Sequence, residues 1–176
     1  MKHKQLVILS VLLMGTAFIA CKHEGGEQAS SEEHITGIQV ADTILYPVDI
    51  INLDSTDKWA DIRLRRLQRK RMINMLFEAI YQGNVKAFDY YTDESFSPED
   101  IKEMEASGQF ERNEVSQLQF EEAWYLDTIN NRMTKEVQSV LLAWPVYDTN
   151  GAFQAYKAGF VVKFENEGKN ETGMAF

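Results

Sequence analysis

A chain of 176 residues with 27 acidic and 18 basic side chains carries a formal charge of −9, which argues against general binding to nucleic acid or to anionic lipid. One cysteine and three histidines leave little material for disulfides, thiolate metal sites or imidazole chemistry. The length suits one domain with a single core.

Lys2 and Lys4 precede an apolar run from Leu6 to Ala20, and Phe18-Ile19-Ala20-Cys21 sets a small residue before the only thiol. This is signal-peptide anatomy, and it looks like a bacterial lipoprotein leader over residues 1–20, cut before Cys21 and acylated there. The competing reading is a transmembrane anchor. Against it, the run is short of the ~20 residues that a span needs, and no basic stop-transfer cluster follows. Acyl chains contribute about 0.8 kcal/mol per buried methylene, so several together would hold the mature chain on a membrane. Lys22 fits sorting to the outer membrane, with its periplasmic face favoured over the cell surface. Without Lys2 and Lys4 the chain holds 16 basic and 27 acidic residues, a formal charge of −11.

Residues 21–37 read as a flexible tether rich in Gly, Ser, Gln and Glu, and residues 165–176 as a loose polar tail. Residues 38–164 remain as one domain. His3 leaves with the leader, while His23 and His34 fall in the tether, so histidine-based catalysis is not expected of the domain. No cofactor and no metal are expected either.

Within the domain, Asp42 to Tyr46 and Val48 to Leu53 favour strand, and Pro47 between them suits an edge strand with a break. Asp54, Ser55, Thr56 and Asp57 offer caps for a long helix. Its apolar stripe would comprise Trp59, Ile62, Leu67, Ile73, Leu76, Phe77 and Ile80, ending at Gly83-Asn84. Inside it Arg63, Arg65, Arg66, Arg69, Lys70 and Arg71 place six cations in nine residues of an acidic chain. Such a strip reads first as a solvated helix face and, next to that, as a candidate interface for an acidic partner or for lipid headgroups. Val85 to Tyr91 is a short apolar and aromatic segment. Ser97-Pro98-Glu99-Asp100 then starts a short helix that stops at Gly108.

From Leu118 onward the pattern changes to strands. Leu118 to Leu126 alternate, Thr128 to Asn131 turn, Val137 to Val146 form an apolar strand, Asp148 to Gly151 turn again, and Ala152 to Phe164 form a third strand. The expected fold is α+β, with an antiparallel sheet of three to four strands, ending in this meander, packed with one long and one short helix.

Glu122 shares a strand face with Leu118, Phe120, Trp124 and Leu126, so its carboxylate must pair, protonate or reach the edge of the core. A structural pairing, for example with Arg132 across the turn, is preferred over a catalytic acid, since Glu121 points to the opposite face and no second carboxylate assists. Asp148 to Gly151 lacks the remaining ligands of a calcium loop and reads as a hairpin turn. Trp59, Trp124, Trp144, Phe153, Tyr156 and Phe160 could form a ligand platform, but their spacing suits core positions better.

Glu122-Ala123-Trp124-Tyr125-Leu126-Asp127, then Asn131-Arg132-Met133 and an apolar strand ending at Pro145, resembles the Glu-x-Trp-x-x-Asp … Met … Pro pattern of the GldN/PorN family. Asp42-Thr43-Ile44 and Ile51-Asn52-Leu53 are similar to that family's opening strand, and Gly83 with Val85 to Asp89 to its helix exit. The resemblance implies a periplasmic, non-enzymatic component of the gliding-motility and type IX secretion apparatus of Bacteroidetes. It further implies a protein partner of the GldK/PorK lipoprotein kind and a possible homo-oligomer. The chain departs from the pattern in carrying its own lipid signal, in having the basic helix after Leu53, and in placing Glu136 where a basic residue is expected. Those departures point to a divergent paralogue. The runner-up expectation is a surface lipoprotein that binds glycan or a host ligand, followed by a carboxylate hydrolase.

Overall fold

The computed structural model describes residues 37–164; the leader, Cys21, nearly all of the tether and the tail lie outside the described residues. In chain order the elements are β1 (Ile38–Asp49), α1 (Lys58–Leu64), α2 (Arg69–Tyr81), β2 (Lys86–Asp89), β3 (Ser95–Phe96), α3 (Pro98–Ala106), a 3₁₀ turn (Arg112–Glu114), β4 (Gln117–Asp127), β5 (Arg132–Tyr147) and β6 (Phe153–Lys163). The strands form one antiparallel sheet in the order β1-β4-β5-β6-β2-β3.

The α+β class and the β4-β5-β6 meander agree with the sequence reading, but the sheet is larger than expected. Six strands replace three to four, because β1 adds to β4 at one edge and the β2-β3 hairpin adds to β6 at the other. Pro47 does not break β1. It pairs in register with Gln119 on an edge strand, where a missing N–H can face away from the ladder, and the irregularities fall earlier, between Gln39 and Ile44.

The single long helix is also corrected. The chain breaks between Leu64 and Arg69, leaving α1 and α2 as separate helices. Trp59 and Ile62 fit the helical period yet are 66% and 52% exposed, so α1 has no buried stripe to continue that of α2. Only Ala60 of α1 is buried, whereas α2 buries Ile73, Phe77 and Ile80. An unbroken helix would also crowd six cations onto neighbouring turns, and like charges at those spacings are destabilising.

Local chemistry explains the ends. The Asp57 carboxylate accepts from Ala60 N–H at 3.0 Å to cap α1. Ser97 and Asp100 form a reciprocal capping box at the start of α3, with Pro98 in its first turn. Gly83 leaves α2 at φ +72°, with its N–H bonded to the Ile80 carbonyl.

α2 and α3 pack against the sheet through a shared core. Phe77, Ile73 and Ile80 meet Ile101 of α3, Leu118, Val140, Leu142, Trp144, Phe160 and Val162 in one core. Gly159 lets the Trp144 ring lie against the β6 backbone: a Cβ there would sit 2.2 Å from its Cζ3.

Candidate functional site

The β1–β4 register sets Tyr46 opposite Phe120, with the rings stacked at 5.8 Å, and brings the phenol over Glu122. Glu122 is 5% exposed. Its Oε1 accepts from the Tyr46 hydroxyl at 2.6 Å, and its Oε2 accepts from Trp124 Nε1–H at 3.0 Å. Lys135, paired with Trp124 across β4 and β5, brings Nζ to 3.5 Å from Oε2. The same ammonium lies 4.4 Å from the Trp124 ring centre and 5.5 Å from that of Tyr46. A lysine is thus bracketed by two aromatic faces with a carboxylate beneath it, a favourable cation–π arrangement.

Burial pushes the Glu122 carboxyl up, but the bonds from Tyr46 and Trp124 and the Lys135 charge outweigh it and hold it below the ordinary value of 4.5. The bond to Glu122 pushes the Tyr46 phenol up to about 12. At neutral pH the carboxylate is ionised and accepting, the phenol protonated and donating. The cation beside Glu122 is Lys135 in place of the expected Arg132, which stands opposite Asp127 in the register.

The remaining motif residues shape the strand ends. Asp127 is buried and accepts from the Ile129 and Asn130 backbone N–H groups, both at 3.0 Å, while Asn131 takes φ +52°. Such left-handed backbone suits asparagine in a tight turn. Met133 is 51% exposed. Pro145 pairs with Tyr156 of β6 beyond the last β4 pairing, Gln117 with Ala143, so its missing N–H costs the ladder nothing on that side.

The helix break divides the basic strip. Arg63 approaches Asp57 at 4.0 Å, and Arg71 donates to Gln68 Oε1 at 3.2 Å. Arg69 Nη1 donates to the carbonyls of Asn113 at 2.9 Å and Val115 at 3.3 Å, which gives it a structural task. Arg65, Arg66 and Lys70 are exposed and form no ion pair among the described residues. Beside Arg66 runs an open groove of about 840 Å³ between α2 and the sheet, walled by Met72, Met75, Leu76, Phe120, Val137 and Phe164. Arg66 and Arg71 line it as well.

Two features escape sequence reading. Arg112 donates to Glu105 through Nε and, at 2.6 Å, through Nη2; it pairs with Glu78 at 3.2 Å and lies over the rings of Phe77 and Tyr81. Tyr81 also donates to Glu105. This network ties α2, α3 and the 3₁₀ turn together, and no local pattern announces it. The groove is the other, although Met72 and Met75 beside the Ile73-Phe77-Ile80 stripe hint at an apolar surface wider than the core requires.

The aromatics scatter. Trp144 and Phe160 are buried, Trp59 is exposed, and the rings of Phe153 and Tyr156 lie 4.9 Å apart, tilted by 56°, beside Tyr147 in a second cavity of about 540 Å³. The Asp148 carboxylate accepts from the Asn150 and Ala152 N–H groups at 2.8 Å, as a hairpin turn requires.

Residues 59–170 match the family described as "Gliding motility associated protein GldN". No curated protein matches the chain. The matched stretch holds the Glu122 to Pro145 motif, the helices and the meander, while β1 and Tyr46 precede it. With well over half of its length inside that match, the chain belongs to the GldN family of gliding motility associated proteins.

Proposed function

We propose that this protein is a membrane-anchored, non-enzymatic component or accessory of a type IX secretion and gliding-motility assembly. Lipid on Cys21 would hold it at the outer membrane, on the periplasmic face, while the domain acts through protein contacts. The observation that carries the reading is the trio Arg65, Arg66 and Lys70, exposed and without an ion pair among the described residues, of which Arg66 lines an open apolar groove on a GldN-family domain. Cations around an apolar centre suit a protein partner with acidic groups around its own apolar patch. A GldK/PorK-like lipoprotein is the first candidate.

The motif carboxylate supports the non-enzymatic part. Both oxygens of Glu122 are engaged by Tyr46, Trp124 and Lys135, and its lowered pKa leaves it without a proton to donate at neutral pH.

The test is co-purification of the lipidated chain with the GldK-like lipoprotein of the same cell. Arg65→Glu, Arg66→Glu and Lys70→Glu combined should reduce recovery at least about tenfold, since like charges facing each other at an interface cost several kcal/mol. Arg69 is left out because it holds the Asn113 and Val115 carbonyls. Full recovery with unchanged circular dichroism would remove the basic surface from the interface. Cys21→Ser should release the protein from membranes, and continued sedimentation with them would refute the anchor.

A further inference from the structure

The second cavity has a different chemistry from the groove beside α2. It holds about 540 Å³ between the β1–α1 connection, α1 and the tip of the β5–β6 hairpin. Tyr147, Phe153 and Tyr156 line it from the hairpin. On a regular strand Phe153 and Tyr156, an odd number of residues apart, would point to opposite faces. The register slips here: Val146 pairs with Ala155 and Tyr147 with Phe153, so Gln154 is the extra residue of a bulge and both rings reach one cavity. Phe153 is tilted 75° to Tyr147 and 56° to Tyr156, with ring centres 6.4 and 4.9 Å apart. Asp49 at the end of β1, Asp54 in the connection and Asp57 at the cap of α1 line the cavity as well, against one lining cation, Arg63. Local bonds hold these carboxylates in place. Tyr156 and Gln117 donate to Asp49, the Thr56 N–H donates to Asp54 at 2.8 Å, and the Ala60 N–H donates to Asp57 at 3.0 Å.

We propose that this cavity receives an arginine side chain of a partner polypeptide, with the guanidinium lying against the hairpin rings and toward the carboxylates. Rings turned steeply to one another make walls, which suit a cation, whereas a sugar ring stacks on a flat aromatic platform. A planar guanidinium stacks on a ring and donates to carboxylates at the same time; an ammonium lacks that fork. The volume exceeds that of one side chain, so the occupant is a short stretch of chain rather than a bare metal ion. Tyr147 and Phe153, 50% and 39% exposed, leave ring surface open to an entering group. Arg63 does not fill the site. It lies 4.0 Å from Asp57 with its side chain 60% exposed, which leaves Asp49 and Asp54 without a cation among the lining residues. The cavity shares no residue with the trio Arg65, Arg66 and Lys70, and the proposal does not rest on the assembly contact assigned to them.

The test is titration of the full chain with acetylated and amidated Gly-Ser-Arg-Ser-Gly, followed by amide NMR at Gly151 and Ala152, which line the cavity. Both signals should shift and saturate. The same peptide with citrulline in place of arginine keeps the shape without the charge and should bind about tenfold more weakly. Added salt should weaken the arginine peptide. Asp54→Asn, which keeps an oxygen for the Thr56 bonds, and Phe153→Leu should each weaken it about three- to tenfold. Arg63→Gln should tighten it, because that change frees Asp57. Arg65→Glu, Arg66→Glu and Lys70→Glu combined should leave the affinity within about twofold, which separates this site from the assembly contact. Equal affinity for the citrulline peptide would overturn the proposal. So would unshifted Gly151 and Ala152 signals at about 10 mM peptide. Shifts there with cellobiose but not with the arginine peptide would overturn it too, by assigning the rings to a saccharide.

Discussion

Replacing Glu122 by glutamine keeps the shape of the buried carboxylate and removes its charge. A hydrogen bond to a charged group contributes about 1.5–3 kcal/mol, and Glu122 accepts two, from Tyr46 at 2.6 Å and from Trp124 at 3.0 Å. Glutamine retains one carbonyl acceptor and turns an amide N–H toward the other partner. Tyr46, with its phenol oxygen, can receive that N–H; Trp124, a pure donor, must keep the carbonyl. Lys135 is 46% exposed, so its ion pair adds less than about 1 kcal/mol. The expected loss at neutral pH is therefore about 1–2 kcal/mol, or about 3–8 °C in Tm for a domain of this size. The pH dependence gives the sharper check. The folded carboxyl titrates below its ordinary value of 4.5, so its contribution is complete above that value and disappears as the pH falls through the folded pKa. The difference between wild type and Glu122→Gln should thus be largest at neutral pH and shrink below about pH 4. Urea unfolding followed by tryptophan fluorescence at several pH values measures it. Equal stability at neutral pH, or a difference that persists undiminished in acid, would refute the assignment of Glu122 as an ionised acceptor.

Three further outcomes follow from packing and charge. Gly159→Ala should cost about 3 kcal/mol and change the near-ultraviolet circular dichroism of Trp144, because the new Cβ falls 2.2 Å from that ring; an unaltered spectrum and melting temperature would contradict the tight approach. Arg112→Met should cost about 2–3 kcal/mol, a figure reduced from that of a fully buried pair because the guanidinium is 19% exposed. The Arg112 bond holds Glu105 below 4.5, so the wild type should lose this stability as pH falls beneath that value, while the variant shows a flatter acid profile; parallel profiles would count against the network. Ser97→Ala should remove about 1 kcal/mol by breaking the α3 capping box, read as a lower urea midpoint at unchanged slope; a midpoint that stays put would mean that Pro98 alone starts the helix.

The sequence announces those parts of this molecule that depend on near neighbours. The meander follows from alternation around Phe120 and Trp124 and from two turns whose aspartates, Asp127 and Asp148, accept from the next few backbone N–H groups. The start of α3 is legible in Ser97-Pro98 for the same reason. What escapes is decided by partners far along the chain. Tyr46 reaches Glu122 across 76 residues through the β1–β4 pairing, and Lys135 arrives from the next strand, so spacing on β4 alone cannot choose between Lys135 and Arg132. The helix break is invisible because Trp59 and Ile62 keep the apolar period while facing outward. β2 and β3 span four and two residues, too few to display a period of two, and exist because β6 offers them an edge.

The placement of β1 sets how the domain would bear a pull. β1 follows directly on Gly37 and runs antiparallel to β4 from Ile38 opposite Leu126 to Asp49 opposite Gln117. Tension along the strand loads the whole ladder in shear, and the two irregularities between Gln39 and Ile44 lie at the end that takes the strain first. Beyond them, the Tyr46 hydroxyl bolts the strand to the carboxylate on β4. Fraying under load is therefore expected to begin ahead of Ile44, with the Tyr46–Glu122 bond among the contacts that resist its spread.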